Sequence, residues 1–324
     1  MRGVAGGTEN SAAQPSPLLA LALSRPREAL AAARAVLAAQ PGAYEASVAR
    51  QAAAIVLRDR GDVASAIAEL RIALRLAIAS GDLARQADVR ATLGVALAWM
   101  GRSKQGLAEL DQAATQARGA ALARILMRRA STLKRLGRYE AALDDLGRAL
   151  PVLRRAGDTV WEARSLTHRA EVYLAFGNTA RAEGDFARAE QLYASNGQEL
   201  EYAIAVHNRG LVAIVRGDLP SALGYLDVAG RRYDELGARD PQLAIDRCST
   251  LLAAGLAADA MQEADVAVAL FGLGQQSRST FTVGVAGPYD DEMRARLPEV
   301  AAMSPKQPTS APGPFKGTRG VRRG

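Results

Sequence analysis

Cysteine, histidine and aromatic residues are scarce in this 324-residue chain, and their scarcity excludes several classes of protein. The one cysteine, Cys248, cannot form an intramolecular disulfide, which excludes a secreted domain held together by disulfides. It also has no neighbouring cysteine with which to bind a metal ion, and the only histidines are His168 and His207. We therefore predict no metal site and no cofactor.

Long apolar runs are missing as well. The only apolar run near the N-terminus covers residues 18–23 and is shorter than the core of a signal peptide. No later segment approaches the roughly 18 apolar residues that a membrane helix needs. We therefore predict a cytoplasmic protein without membrane contact.

Alanine and leucine carry most of the apolar content. Hydrophobic residues make up 49% of the chain, and aromatic residues only 5%. Alanine and leucine favour helices, whereas aromatic and β-branched residues favour strands. The composition therefore predicts an all-α fold.

The positive charge is unevenly distributed. The formal net charge is +7, and residues 272–324 contain eight lysines and arginines against four acidic residues. Over the rest of the chain, positive and negative residues are interspersed. The helical region is therefore not predicted to offer nucleic acid a strongly basic surface.

A glycine recurs every 36–40 residues between positions 61 and 255. Five residues after each glycine lies a small residue, and four residues further lies a mostly large apolar residue, so the two share one stripe of a helix. Another small residue lies seven residues before each glycine, on a preceding helix, and we call this position the small slot. Each repeating unit is thus a first helix, a turn at the glycine and a second helix. The glycines are Gly61, Gly101, Gly137, Gly177, Gly217 and Gly255, and the small slots are Ala54, Gly94, Ala130, Ala170, Gly210 and Cys248.

A second glycine series has a similar period and separates the units. Glycine tolerates the left-handed conformation that ends helices. Asp82 and Asp158 directly follow two of these glycines and are predicted to cap the next helices. The series consists of Gly81, Gly119, Gly157, Gly197 and Gly237.

These units resemble the tetratricopeptide repeat (TPR) family, with residues 90–101 and 137–142 as the best-matching segments. The resemblance implies an all-α, right-handed α-solenoid of antiparallel helix pairs. It covers residues 17–271 with about six to seven repeats, including a degenerate first unit at residues 17–41. The period is longer than the family's usual value of about 34 residues, which implies longer helices or connections.

A narrower resemblance rests on residues 207–210, 217–222 and 246–248. These segments are similar to the N-terminal repeat array of bacterial proteins that end in a caspase-like CHAT peptidase domain. No part of the sequence resembles the CHAT domain itself, so the resemblance does not imply protease activity.

The two ends of the chain lack the repeat. Residues 1–16 are predicted to be a disordered leader, and residues 272–324 a mostly irregular basic tail rich in proline and glycine. The pattern stops without a polar capping helix, which solenoids usually have. Two explanations stay open, a coding sequence truncated or frame-shifted relative to a longer relative and a flexible basic tail.

Catalytic motifs are not found. The sequence has no P-loop, no Rossmann glycine fingerprint, no HExxH zinc motif and no GxSxG nucleophile elbow. His168, His207 and Cys248 lie on first helices of successive units, but Cys248 occupies a small slot, where a buried and inert thiol is expected. We predict that the chain is not an enzyme and has no catalytic residue.

One arginine per unit directly precedes the small slot in four successive units. A row of guanidinium groups could clamp the carboxylates of an acidic partner segment. The alternative is a ladder of internal pairs with Asp145, Asp185 or Asp227, and the sequence favours this ladder. The arginine row consists of Arg129, Arg169, Arg209 and Arg247.

The TPR resemblance implies that the first helices line the inner, concave face. Trp99 is either a binding anchor or a cover for the turn at residues 100–101. Basic residues in the middle units and apolar residues later predict an acidic or amphipathic peptide. The peptide-binding candidates are Arg58, Trp99, Met127, Lys134, Arg135, His207, Leu211 and Val215.

The leading functional prediction is a scaffold that binds a protein or peptide on its concave face. The alternative is a stand-alone regulatory or sensor half of a CHAT-type protease or signalling protein. Nucleic-acid binding through the basic tail ranks below both, because the tail has few aromatic residues on which bases could stack. The sequence does not indicate an oligomeric state.

Overall fold

The computed structural model describes residues 16–238 and 240–276, which form fourteen α-helices. Of the tail predicted for residues 272–324, residues 277–324 lie outside the described part, as do residues 1–15 of the predicted leader. The helices are α1 (Pro17–Ser24), α2 (Pro26–Ala38), α3 (Ala43–Asp59), α4 (Val63–Ala79), α5 (Leu83–Trp99), α6 (Ser103–Gln116), α7 (Gly119–Arg135), α8 (Tyr139–Arg155), α9 (Thr159–Ala175), α10 (Thr179–Ser195), α11 (Glu199–Arg216), α12 (Leu219–Glu235), α13 (Pro241–Ala253) and α14 (Ala257–Gln276).

Consecutive helices pack as pairs, from α1 with α2 to α13 with α14. Seven pairs stack along the chain as a right-handed α-solenoid, which confirms the all-α prediction of about six to seven repeats. The last helix continues to Gln276, past residue 271, at which the array was predicted to end.

Both glycine series lie at helix ends. All eleven glycines have a positive φ, from 55° at Gly119 to 85° at Gly61. A residue with a side chain is strained in this conformation, whereas glycine adopts it freely. The turns between helices are therefore tight enough to fold each helix back on its predecessor.

The two predicted caps behave differently. The carboxylate of Asp82 accepts a hydrogen bond of 2.8 Å from the backbone N–H of Arg85 and caps α5, as predicted. Asp158 occupies the cap position of α9, but its carboxylate makes no capping bond. It accepts a 2.6 Å bond from Nε of Arg124 on α7 instead, because the guanidinium is a stronger donor than a backbone amide.

The repeating positions form the core between the helices. The large residues nine positions after each turn glycine are at most 1% exposed in five units, and a buried leucine or phenylalanine contributes about 1.5–3 kcal/mol. The small slots let the paired helices approach closely: a Cβ on Gly94 of α5 would lie 2.7 Å from the carbonyl oxygen of Gly106 on α6. The five large residues are Leu70, Leu110, Leu146, Phe186 and Leu226.

First and second helices occupy different sides of the stack. First helices of neighbouring units contact one another directly, as α3 does with α5, α5 with α7, and α7 with α9. Within the described residues, the second helices of neighbouring units make no comparable contact. The more closely packed first helices therefore line the inner face, and the second helices form the outer face.

Candidate protein-binding face

Trp99 ends α5 on the inner face with 41% of its surface exposed. Arg58 near the end of α3 and Arg135 at the end of α7 flank its ring. Their guanidinium carbons lie 5.7 Å and 5.1 Å from the ring centroid, which is the range of cation–π contacts. Three successive first helices thus contribute one residue each to an Arg-Trp-Arg cluster, defined as Arg58, Trp99 and Arg135.

The two arginines of the Arg-Trp-Arg cluster differ in their partners. Nε of Arg58 donates a 2.7 Å hydrogen bond to the adjacent Asp59, which neutralises its charge. Arg135 forms no ion pair with a described residue, and partial burial lowers its pKa below the usual arginine value. An arginine stays protonated even so, and Arg135 therefore offers an uncompensated cation beside an exposed aromatic ring.

Lys134, the residue before Arg135, already forms an ion pair within the fold. Its ammonium group binds the carboxylate of Glu171 on α9, to which Nδ1 of His168 also lies at 2.9 Å. Burial alone would raise the pKa of Glu171, but Lys134 and His168 outweigh burial and lower it to about 2. Lys134 is therefore less available to a ligand than Arg135.

The remaining candidates divide between surface and interior. Val215 on α11 is 42% exposed and Leu211 is partly exposed, so an apolar surface continues along the inner face. Met127 and His207 are at most 5% exposed. Nε2 of His207 lies 2.8 Å from Asp246, and the histidine packs inside the array rather than on the binding face.

Each guanidinium of the arginine row binds carboxylates of second helices. Arg129 donates two bonds of 2.7 Å to Asp145 on α8 and one of 2.6 Å to Asp111 on α6. Arg169 donates bonds of 2.7 and 2.8 Å to Asp185. These hydrogen bonds raise the pKa values of both arginines, even though burial acts in the opposite direction.

The other two members of the row follow the same pattern. Arg209 binds Glu183 and Glu190 on α10 and donates a 2.6 Å bond to the hydroxyl of Tyr225 on α12. Arg247 binds Asp227 on α12 and, at 2.8 Å, Glu263 on α14. The row is thus engaged in internal pairs of the ladder type, and a ligand would have to displace them.

A tetratricopeptide repeat family model matches residues 121–195, which extend from α7 to α10. The fold is a TPR solenoid. No curated protein sequence matches the chain at a significant level.

Solved structures share the TPR solenoid fold at low sequence identity. The APC/C hetero-tetramer Cut9-Hcn1 superimposes with a TM-score of 0.65 at 13% identity, over 89% of this chain and 49% of that chain. A Rap protein complexed with Competence and Sporulation Factor superimposes with a TM-score of 0.57 at 14% identity, over 85% of this chain and 79% of that chain. A STAND ATPase with a TPR sensor from Pyrococcus horikoshii superimposes with a TM-score of 0.61 at 15% identity, over 88% of this chain and 42% of that chain.

A polar network between first helices of the TPR solenoid was missed by the sequence reasoning. The buried guanidinium of Arg85 donates 3.0 and 3.2 Å bonds to Ser47 and Asp88, and Arg128 donates a 2.9 Å bond to Asp88. Burial would raise the pKa of Asp88, but Arg128 and Arg85 outweigh it and lower the pKa. The network joins α3, α5 and α7, and its residues do not recur with the repeat, so periodicity could not reveal them.

The TPR solenoid holds its cysteine in the interior. Cys248 is 4% exposed, and burial, together with the nearby Glu263, raises the pKa of its thiol. A protonated, buried thiol is a poor nucleophile. Within residues 16–238 and 240–276, no group of His, Cys, Asp and Glu side chains could hold a metal ion. Over the same residues, no helix is long and apolar enough to cross a bilayer.

Proposed function

We propose that this chain is a protein-interaction scaffold that binds an acidic or amphipathic segment of a partner along its inner face, centred on the Arg-Trp-Arg cluster. The observation that carries the proposal is the exposure of Trp99 between two arginines. Tryptophan and arginine are enriched among the residues that dominate the binding energy of protein interfaces, and this cluster presents both on the inner face.

The chemistry of the inner face supports an acidic or amphipathic ligand. Arg135 can bind a carboxylate without first losing an internal partner, and Trp99 can pack against an apolar side chain. Further along, Leu211 and Val215 extend the apolar surface. The Rap protein, which shares the fold, is complexed with Competence and Sporulation Factor, in line with an interaction role for such a solenoid.

Co-purification with the full chain tests the proposal. We expect a stoichiometric partner to be retained by the wild-type chain and lost with Trp99→Ala, while the melting temperature changes by less than about 2 °C. Leu236→Ala is the control, because Leu236 is an apolar residue that is exposed to a similar degree, at 44%, but lies at the end of the second helix α12. The proposal fails if the wild-type chain retains no partner or if Trp99→Ala retains it equally well.

A second candidate is a regulatory sensor that acts on a separately encoded effector, such as a CHAT-type protease or a signalling ATPase. It is supported by the likeness to the STAND protein, which carries a TPR sensor. We expect an effector domain to be encoded beside this chain and to bind it directly. Flanking genes without such a domain would remove the support for this candidate.

A further inference from the structure

The arginine row begins at Arg129 and does not extend to the unit formed by α5 and α6. Leu93 occupies the position directly before the small slot Gly94, where four later units have an arginine. In the next unit, Arg129 at this position bridges the two second helices α6 and α8 through Asp111 and Asp145. Leucine cannot form such a bridge, and the space between α4 and α6 is therefore left without one.

The charges around Leu93 are also altered. Arg75 precedes Leu93 by 18 residues, just as Asp111 precedes Arg129, so a cation replaces the acid of the later unit. Glu109 of α6 keeps the second acidic position, but it accepts a 2.7 Å bond from Arg90. Arg71 and Arg75 are exposed and form no ion pair with a described residue. They lie four residues apart, on one face of α4.

A cleft of about 430 Å³ lies between α4 and α6 in this unit. Leu93 and Leu97 of α5 are buried and form its floor, and Leu74 and Ile78 of α4 form one wall. Ile78 is 51% exposed, so this wall of the cleft is open to a partner's side chain. The cleft opens between second helices, and it is therefore separate from the inner face. The lining residues are Arg71, Leu74, Arg75, Ile78, Leu93, Leu97, Gln105, Ala108 and Glu109.

We infer that this outer cleft is a second docking site, which takes an acidic amphipathic segment of a partner protein. An apolar side chain of the segment enters between Ile78 and Leu93, and a neighbouring carboxylate binds Arg75 or Arg71. Charge complementarity selects this occupant, because a basic segment would meet two uncompensated cations. The apolar floor offers no partners to the polar backbone of a nucleic acid, which needs a longer track of cations.

Fluorescence anisotropy with the full chain tests this inference. The probe is a labelled synthetic peptide in which leucines alternate with pairs of aspartates, and its counterpart has lysines in place of the aspartates. We expect the acidic probe to bind and the basic probe not to bind. Arg75→Glu and Ile78→Asp should each weaken binding about tenfold or more, because one removes the cation and the other the apolar wall.

Arg231→Glu is the matched control. Arg231 is exposed and lies at the same distance after its turn glycine on α12 as Arg75 does on α4, but there the row is intact, since Arg247 bridges α12 and α14. We expect the Arg231→Glu variant to bind the acidic probe with the same affinity as the wild-type chain. An equal loss in Arg231→Glu would show unspecific attraction and overturn the inference, as would a wild-type chain that does not bind the acidic probe.

Three further results would overturn the inference about the outer cleft. Loss of the probe with Trp99→Ala, but not with Arg75→Glu, would place the probe on the inner face. A dimer that dissociates in Arg75→Glu would make a second copy the occupant. Tighter probe binding after neutralising Asp290, Asp291 and Glu292 in the full chain would make the chain's own acidic segment the occupant.

Discussion

Arginine side chains have different surroundings in the arginine row and in the Arg-Trp-Arg cluster. In the row, each guanidinium binds carboxylates of second helices, as Arg129 does with Asp145 at 2.7 Å. In the cluster, Arg135 contacts a half-exposed tryptophan and no acid of the described chain. The row recurs with the repeat, whereas Trp99 occurs in one unit only. In this solenoid, the recurring charges therefore pair within the stack, and the proposed binding surface lies where the repeat is broken.

The largest effect is expected from breaking the row. Asp145→Ala should reduce the free energy of unfolding by about 3 kcal/mol, because it removes a buried carboxylate and leaves Arg129 partly unpaired. Urea denaturation followed by circular dichroism measures the change. Asp144→Ala is the control, since Asp144 is exposed on the same helix and should alter stability by less than about 0.5 kcal/mol. Equal effects of the two variants would contradict a stabilising role for the row.

A smaller effect on stability is expected from removing the charge of Glu171, the partner of the inner-face cation Lys134. Because the pKa of Glu171 is lowered to about 2, its ionised form stabilises the fold above its ordinary pKa, and this contribution is lost as the pH falls towards 2. Glu171→Gln should cost about 2 kcal/mol at pH 7.

The pH dependence provides the control for Glu171. Stability measured in urea should differ between wild type and Glu171→Gln at pH 7, and the difference should shrink steadily below about pH 4. A difference that stays constant down to pH 2 would show that the charge of Glu171 does not contribute.

The smallest effect on stability is expected at Arg135. Arg135→Ala removes no ion pair and should change the free energy of unfolding by less than about 0.5 kcal/mol. The same variant should weaken partner binding, because Arg135 is the uncompensated cation of the cluster. Isothermal titration calorimetry and a melting curve on one sample separate the two effects. A variant that melts much earlier would place Arg135 with the structural arginines.

Much of the fold could be predicted from the sequence, because the repeat is local. Two glycine series mark the turns, and the small slots mark the helix contacts, so unit number and helix order follow from spacing alone. Trp99 could be identified for the same reason, because it lies two residues before a turn glycine, at the end of a first helix. Its two cationic neighbours could not be assigned to its ring, since Arg58 and Arg135 lie 41 and 36 residues away in the chain.

The site was harder to predict, because exposure depends on what neighbouring helices cover. Met127 lies seven residues before Lys134 and His207 four residues before Leu211, which places them on the same helical faces as these candidates, yet both are buried. Asp158 follows a turn glycine as Asp82 does, but only Asp158 has an arginine of the preceding first helix within reach. Periodicity states which face of a helix a residue occupies, and not whether the next helix reaches it.

The sequence by itself determined the helices, their turns and their stacking, because these depend on spacings of less than one repeat and on glycine's access to positive φ. Only the tertiary structure decided which charges are satisfied. The ion pairs of the arginine row, and the pair between Arg128 and Asp88, join residues 16 to 40 positions apart, and their formation depends on distances of a few ångströms between helices. Arg129 and Arg75 differ for that reason: an acid lies within reach of the first, and an open cleft lies beside the second.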